Sequence, residues 1–310
     1  MKRATIPRPL GRLRVAAAQM VFAPTIEGNL ARMEHAVGRA AAAGADALLF
    51  PECATTGYAV DFAALDRSAV HGALETVAAM AARHRIQVLA GSPVFVGRRL
   101  LNALVVFDRT GRLVHGYAKC HLTERDRLWF VPGDGLSWFR LGDVTATAII
   151  CHERRYPELV RLPVMAGAQV VFHPNAGLDD LAVSRAKRGG RDGIPVRAFE
   201  NAVFYVFANS VGPQGNGKWS AGDTKIVAPD GTVLGLANNR DEELVVADLD
   251  LSLATRKYAK DALRHPRLLV AHWRAMLRTM TRRARETDTA FRRAMGSSAS
   301  ARRARQDVVP

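Results

Sequence analysis

Three residues with complementary chemistry each follow an apolar, strand-like run of this chain: Glu52, Lys119 and Cys151. A carboxylate, an ammonium group and a thiol in one place are what hydrolysis of an amide or nitrile carbon requires. Each residue also has an ordinary interpretation. These are an exposed loop acid, a solvated lysine and a cysteine packed in the core.

Cys151 ends the β-branched run 146–150 and is followed by Pro157-Glu158, which suits the first turn of a helix over 159–166. A strand that is buried on both faces is apolar without alternation, as this run is. The sequence therefore predicts a strand, a nucleophile and a helix in succession. Near a helix N-terminus, unpaired backbone N–H groups favour the reactive thiolate.

Further apolar runs alternate with helical stretches and turn residues. Helices are predicted over about 29–43 and 62–85 and for part of 180–201, with a turn at Ser92-Pro93 and a glycine-rich loop at Gly212–Gly217. Strands are predicted over 13–19, 46–50, 87–91, 102–107, 113–118, 146–150, 169–172, 202–208, 225–228, 232–234 and 243–248. This order indicates an α/β protein whose helices cover two mixed sheets. Glu52 would lie at the carboxyl edge of a strand, where ligands collect.

The composition bounds the domain organisation and the compartment. With 310 residues and 48% hydrophobic content, the chain can bury a large core, and we expect one domain over 1–265 and a helical, basic extension over 266–310. Three cysteines are too few for a disulfide framework and fit a reducing cytosol. Because no apolar run approaches membrane-spanning length, we expect a soluble, cytoplasmic protein with no membrane partner.

Nearly half of the formal net charge of +15 lies in the last 38 residues. From residue 273 onward, ten arginines less three acidic residues give +7. Such a tail could bind nucleic acid or an anionic membrane. A solvated tail is the more frequent outcome, so a nucleic-acid partner is not expected.

The C-terminal extension begins with an amphipathic pattern. Leu269, Trp273, Met276 and Met280 share one helical face. We expect about 265–285 to dock at an oligomer interface, the alternative being that the stripe packs on its own subunit. The stretch beyond Gly296 has few apolar residues and should be loosely held.

Several motifs, in order along about residues 13–265, resemble those of the nitrilase, or carbon–nitrogen hydrolase, superfamily. They are Phe50-Pro51-Glu52, Tyr117-Ala118-Lys119-Cys120-His121-Leu122, Pro132-Gly133-Asp134, Cys151 with Arg155-Tyr156-Pro157-Glu158, Arg197-Ala198-Phe199-Glu200-Asn201, Asn209 and Pro229-Asp230-Gly231. The resemblance implies a four-layer αββα sandwich, a cysteine–glutamate–lysine catalytic set and homodimers or higher homo-oligomers. It also implies neither a metal nor an organic cofactor.

The resemblance also implies a role for each candidate residue. Glu52 would act as general base and then general acid for Cys151, while Lys119 and the backbone N–H of His152 would stabilise the oxyanion. Asn175, with His173-Pro174 ahead of it, would contact the polar end of the substrate.

A second acid is expected shortly before Pro132-Gly133-Asp134. Asp126 occupies the matching position, although aspartate is one methylene shorter than the glutamate of the family pattern. Glu124, two residues earlier, is the alternative.

The residues after the nucleophile favour one branch of the superfamily. Nitrilases proper usually have Trp-Glu there, whereas this chain has His152-Glu153-Arg154-Arg155. We therefore expect an amidase or N-carbamoyl amide hydrolase that forms a cysteine thioester and releases ammonia or an amine. The alternatives are a nitrilase and a catalytically weak binding protein that uses the basic tail.

Overall fold

The computed structural model describes the backbone of residues 11–58, 60–186, 193–215 and 217–306, with side chains as far as 296. The strands are β1 (Arg12–Gln19), β2 (Ala47–Leu49), β3 (Gln87–Val96), β4 (Arg99–Phe107), β5 (Leu113–Ala118), β6 (Phe139–Leu141), β7 (Val144–Ala148), β8 (Val170–Asn175), β9 (Asp179–Asp180), β10 (Phe204–Asn209), β11 (Val211–Gly215), β12 (Lys218–Ala221), β13 (Lys225–Val227), β14 (Val233–Leu236) and β15 (Glu243–Asp250). The helices are α1 (Ile26–Ala42), α2 (Arg67–His84), α3 (Glu158–Met165), α4 (Leu181–Ala186), α5 (Ile194–Asn201), α6 (Lys257–Ala262) and α7 (Arg267–Gln306).

Two six-stranded mixed sheets form the centre of the molecule. The first sheet has the order β15-β1-β2-β3-β4-β5, and the second has the order β14-β13-β10-β8-β7-β6. In each sheet the parallel strands lie in the middle and antiparallel strands lie on either side. The short strands β11, β12 and β9 form a separate small sheet.

Apolar side chains on both faces of the strands produce four layers. On β1, Val15 and Ala17 point into the core between the two sheets, while Ala16 and Ala18 point toward α1 and α2. Another core lies between the second sheet and the helices α3 and α5. Burial on both faces explains why the strands read as continuous apolar runs. The predicted αββα sandwich is confirmed.

Side-chain caps begin the two helices that cover the first sheet. The Thr25 hydroxyl accepts the Gly28 N–H at 3.1 Å at the start of α1, and the Asp66 carboxylate accepts the Ala69 N–H at 2.7 Å at the start of α2. Each cap satisfies an N–H group that the helix itself leaves unpaired. The predicted single helix over 62–85 is instead a 3₁₀ turn, Phe62–Ala64, followed by α2.

Two predicted irregular segments are strands. The turn predicted at Ser92-Pro93 is wrong, because β3 continues through it to Val96. β2 pairs with β3 only as far as Leu89; one edge of β3 is open beyond that point, so a residue without an N–H is tolerated there. The predicted loop Gly212–Gly217 is wrong in part, because β11 pairs with β12.

Backbone hydrogen bonds join the two sheets near the ends of their central strands. The Met20 N–H donates to the Asn209 carbonyl at 3.4 Å, and the Val211 N–H donates to the Met20 carbonyl at 2.8 Å. The Glu52 N–H donates to the Asn175 carbonyl at 3.3 Å. These bonds set the relative position of the strand ends that carry the candidate site.

Helix α7 packs on its own chain and spans both halves of the sandwich. Trp273, Leu277 and Met280 join the core beneath α3, and Phe291 joins the core of the first sheet. Of the predicted stripe, Trp273 and Met280 thus pack on the chain itself, while Leu269 and Met276 are 36% and 43% exposed. Docking of this stripe on another subunit stays a prediction. Side chains beyond 296, which we expected to be loosely held, lie outside the described residues.

Contacts of Asp288 and Phe291 hold α7 against β5. Asp288 Oδ1 accepts the Gly116 N–H at 3.0 Å and lies 2.7 Å from Nδ1 of His115. The Phe291 ring lies against Gly116, where a Cβ would be 2.3 Å from the ring. Within the described part of the chain, no helix is long and apolar enough to cross a membrane.

Candidate active site

Glu52, Lys119 and Asp126 form a buried ionic cluster at the ends of β2 and β5. Nζ of Lys119 lies 2.7 Å from Oε1 of Glu52 and 2.8 Å from Oδ2 of Asp126. All three side chains are at most 1% exposed. Charges so far from water are tolerated only when paired and hydrogen-bonded, as these are.

Both carboxylates accept further hydrogen bonds from neighbouring groups. Glu52 accepts the Asn102 amide at 2.7 Å through Oε1 and the Ala176 N–H at 3.1 Å through Oε2. Asp126 accepts the Tyr58 hydroxyl at 2.5 Å and the Thr123 N–H at 2.9 Å. The Ala176 N–H belongs to the second sheet's side of the molecule, so Glu52 is held from both sheets.

The pKa values of the two carboxyl groups, Glu52 and Asp126, are shifted in opposite directions. Burial raises the pKa of Glu52, and Asp126 raises it further, against the lowering effect of Lys119. Burial also acts to raise the pKa of Asp126, but the charge and hydrogen bond of Lys119, with the Tyr58 and Thr123 donors, lower it overall. The pKa of Lys119 is raised, because the two carboxylates and Cys151 outweigh its desolvation. Glu52 is thus the more basic carboxylate, beside a permanent cation.

A glycine in β3 allows the Glu52 segment to pass close by. A Cβ at Gly91 would lie 2.1 Å from the Pro51 carbonyl oxygen, 2.7 Å from Cα of Glu52 and 2.9 Å from the backbone nitrogen of Cys53. All three contacts are with backbone atoms, which cannot swing away. Glycine is therefore required for the present position of Glu52.

Cys151 lies at a strained turn immediately after the second sheet. It begins a 3₁₀ helix, Cys151–Arg155, with φ at +51°, a left-handed conformation that is costly for a non-glycine residue. The Cys151 carbonyl accepts a hydrogen bond from Nε2 of His173 at 3.1 Å. The hydroxyl of Tyr205 donates to Nδ1 of the same ring at 3.0 Å. The buried His173 therefore supports the turn, and its predicted contact with substrate is wrong.

The surroundings of the Cys151 thiol favour its protonated form. Burial, with the nearby charge of Glu52, raises its pKa to about 12, although Lys119 and Arg154 act to lower it. The expected thiolate at a helix N-terminus is thus wrong. A single 3₁₀ turn provides too little dipole to offset desolvation and a neighbouring carboxylate. Attack by this sulfur needs a base.

A cavity of about 260 Å³ opens onto Cys151. His152 and Asn175, both predicted at the site, line it, and the Asn175 amide donates to Oδ1 of Asn209 at 2.8 Å. Three arginines also line this cavity: Arg125, Arg154 and Arg155. Arg154 is half-buried, with Nη1 3.5 Å from Oδ1 of Asn175. The cavity thus joins a sulfur nucleophile to a wall that carries these arginines together with Asp179 and Asp223.

The structure distinguishes between the two candidates for the second acid. Asp126 is buried against Lys119, whereas Glu124 is exposed. No pattern in the sequence indicates Asn102 or the Ala176 N–H as partners of Glu52, or Tyr58 as a partner of Asp126. Among the described residues, no group of three or more His, Cys, Asp or Glu side chains is arranged to hold a metal ion.

Comparison with known proteins settles the family. The sequence profile of the carbon-nitrogen hydrolase family matches residues 14–258. The chain belongs to the carbon-nitrogen hydrolase family.

Relatives extend over most of the chain. It is 31% identical over 258 residues, 80% of this chain and 94% of the other, to a nitrilase of Pyrococcus abyssi. It is 30% identical over 217 residues, 67% of this chain and 79% of the other, to the 2-oxoglutaramate amidase of Bacillus subtilis.

Among solved structures, it resembles a glutamate-to-glutamine mutant of the amidase from Nesterenkonia sp. AN1, in which acrylamide has added to the active-site cysteine. The TM-score is 0.72 with 26% identity, covering 84% of this chain and 99% of that one. This carbon-nitrogen hydrolase is thus similar to amidases with a cysteine in the active site.

Proposed function

We propose that this carbon-nitrogen hydrolase cleaves a small amide or N-carbamoyl amide through a thioester on Cys151. The observation that carries the proposal is that Cys151 lines the same cavity as Ala176 and Tyr58, which donate hydrogen bonds to Glu52 and Asp126 of the Lys119 cluster. A nucleophile, a base of raised pKa and a fixed cation are the parts that acyl transfer to sulfur needs.

In the first half of the reaction, the Cys151 sulfur attacks the carbonyl carbon while Glu52 takes the thiol proton. The negative charge that develops on the carbonyl oxygen is stabilised by Lys119 and the backbone N–H of His152. One such donor contributes roughly 3 kcal/mol in other hydrolases. The C–N bond then breaks, the leaving nitrogen takes the proton from Glu52, and a thioester remains.

In the second half, Glu52 takes a proton from water as the water oxygen attacks the thioester carbon. The C–S bond breaks, the carboxylic or carbamic acid leaves, and the proton on Glu52 returns to the sulfur. Asp126 remains ionised throughout, because its lowered pKa keeps a negative charge beside Lys119. It thereby holds Lys119 as a cation facing the reaction.

The arginines on the Cys151 side of the cavity favour a substrate that carries a carboxylate besides its scissile bond. Arg154 and Arg155 lie beside Cys151 in the chain and line the same cavity, and arginine recognises carboxylates by paired hydrogen bonds. One relative is named for 2-oxoglutaramate, which has both an amide and a carboxylate. Arg155→Met should raise KM for an acidic amide and leave KM for its methyl ester unchanged, with Arg140→Met on β6 as the control.

The proposal is tested by assaying ammonia release from amides, N-carbamoyl amino acids and the matching nitriles. Cys151→Ala should abolish turnover. In the wild type, mass spectrometry should find an acyl group on Cys151 after incubation with substrate, and a carbamidomethyl group on Cys151 after treatment with iodoacetamide. Cys53→Ala and Cys120→Ala should retain most of the turnover. Wild-type turnover in Cys151→Ala would refute the mechanism. Turnover of the nitrile alone would favour the nitrilase alternative, to which the Pyrococcus relative points.

We also propose a homodimer that forms through the outer faces of α5 and α6. Val196 and Phe199 are 58% and 53% exposed there, beside Tyr258, whose ring centroid is 6.4 Å from that of Phe199. Clustered exposed apolar side chains are typical of subunit contacts. Phe199→Asp should give a monomer in light scattering, whereas Leu268→Asp on α7 should not. A dimer that persists in Phe199→Asp would refute this interface.

The proposed domain organisation and location follow from the same features. We propose that residues 1–265 form the hydrolase domain and 266–310 an extension that braces it, because α7 packs across both halves of the sandwich. We propose a cytoplasmic location for it, and the free thiols of all three cysteines support this.

A further inference from the structure

Glu153 is a fully buried carboxylate that takes no part in the reaction described above. It lies two residues after Cys151, is 0% exposed and does not line the cavity. Four donors converge on its two oxygens. They are the backbone N–H groups of Ile150 at 2.7 Å, Cys120 at 2.6 Å and His121 at 3.2 Å, and the hydroxyl of Tyr117 at 2.9 Å.

These donors belong to the two segments that carry the reacting groups. Cys120 and His121 directly follow Lys119, at the end of β5 in the first sheet. Ile150 directly precedes Cys151, after β7 in the second sheet. One carboxylate therefore bridges the Lys119 segment and the Cys151 turn by backbone bonds to both.

We propose that Glu153 is a positioning residue that fixes the separation between Lys119 and the Cys151 turn. This inference rests on the proposed function of that site. The turn is strained, with φ at +51° for Cys151, and conformations of this kind persist only where the surroundings hold them. His173 holds the turn through the Cys151 carbonyl, and Glu153 holds it through the preceding N–H.

Only a carboxylate fits this role. All three backbone donors are N–H groups, which cannot accept a hydrogen bond. In Glu153→Gln, the amide NH₂ replaces one oxygen and must face an N–H of Ile150 or Cys120, donor against donor. In Glu153→Asp, the shorter side chain cannot reach both segments at once. Either change should let the Lys119 segment move away from the thiol.

The expected effect is on turnover and not on substrate binding. A displacement of about 1 Å in a reacting group can lower the rate roughly 10²-fold. Glu153 lies outside the cavity, so kcat should fall by about that factor while KM changes little. A merely structural residue would lower the melting temperature and leave kcat per folded molecule unchanged.

A second measurement is independent of the substrate. The rate of Cys151 alkylation by iodoacetamide is followed by mass spectrometry across a pH series, on protein shown to be folded by circular dichroism. Because Lys119 lowers the pKa of the Cys151 thiol, its withdrawal in Glu153→Gln and Glu153→Asp should slow alkylation at each pH at which the protein is folded, which shifts the profile to higher pH. A folded variant with the wild-type profile overturns the proposal.

If both Glu153 variants misfold, Tyr117→Phe tests the positioning role of Glu153 instead. It removes one donor and no backbone bond, so we expect a smaller shift in the same direction, and a wild-type profile there overturns the proposal. If wild-type protein hydrolyses no amide while the alkylation profiles shift as expected, the positioning role stands and the proposed function fails.

Discussion

Replacing Lys119 by methionine tests the electrostatic account of the site. The substitution keeps an unbranched side chain, one atom shorter, but leaves Glu52 and Asp126 buried together without a cation. At an effective dielectric constant of 20, one contact at 2.7 Å is worth about 6 kcal/mol before desolvation. After desolvation is counted, removing one partner of a buried ion pair costs about 3–5 kcal/mol. Such a loss is a large fraction of the stability of an ordinary domain.

The pH dependence of the loss has a definite sign. In the wild type, the lowered pKa of Asp126 contributes stability above its unfolded pKa of about 4 that is lost as the pH falls. Without Lys119, both carboxyl groups should have folded pKa values above their unfolded ones. The folded state then binds more protons than the unfolded state, so the free energy of unfolding must fall as the pH rises above about 4.

Urea unfolding at about pH 5 and about pH 8 measures both effects. Lys119→Met should unfold at a lower urea concentration than the wild type at both values, and the difference should be larger at about pH 8. Lys225→Met is a matched control, because Lys225 is also buried, with Nζ 2.7 Å from the carboxylate of Asp223. The loss of stability in Lys225→Met should depend less steeply on pH. A loss in Lys119→Met that is below about 1 kcal/mol, or equal at the two pH values, would contradict the reasoning.

Two further substitutions test the packing that supports the site. Gly91→Ala should destabilise the protein by at least about 1–3 kcal/mol and lower turnover, because the backbone at Glu52 must move. Gly38→Ala is the control, because the nearest contact of its new Cβ would be an ordinary 3.6 Å. Equal melting temperatures for Gly91→Ala and Gly38→Ala would refute the requirement for glycine at 91. Phe291→Ala should cost about 3–5 kcal/mol and speed hydrogen exchange in α7. Leu268→Ala, 79% exposed on the same helix, should do neither, and unchanged exchange in Phe291→Ala would show that α7 is held elsewhere.

The ends of the strands that carry the site were predictable from the sequence because these strands are buried on both faces. Continuous apolar runs identified β1, β5 and β10 closely, and a polar residue directly after such a run must lie at the sheet edge. That is how Glu52, Lys119 and Cys151 were placed. The motifs around them then identified the family. What the sequence showed was local, and each inference needed only a few consecutive residues.

The partners of these residues depend on long-range pairing and could not be predicted in this way. Asn102 reaches Glu52 because β4 pairs with β3 in one register, and a shift by one residue would turn its amide to the opposite face. His173 turns toward the outer layer with Tyr205, a choice that no pattern within its own strand reveals. The pKa of Cys151 depends on burial by distant segments. A helix-terminus argument based on nearby residues therefore predicted the wrong direction.

Because the site is assembled from two sheets, its catalytic rate should depend on how the two sheets pack against each other. Lys119 follows a strand of the first sheet, Cys151 follows a strand of the second, and side chains such as Leu104 and Phe172 fill the space between them. A substitution that changes the size of these core side chains would alter the distance between the Lys119 ammonium group and the Cys151 sulfur, even though neither residue is replaced. Equal losses of stability should thus have unequal effects: core changes between the sheets should impair catalysis more than those beneath α1. The two reacting groups can therefore meet only when both sheets are packed together.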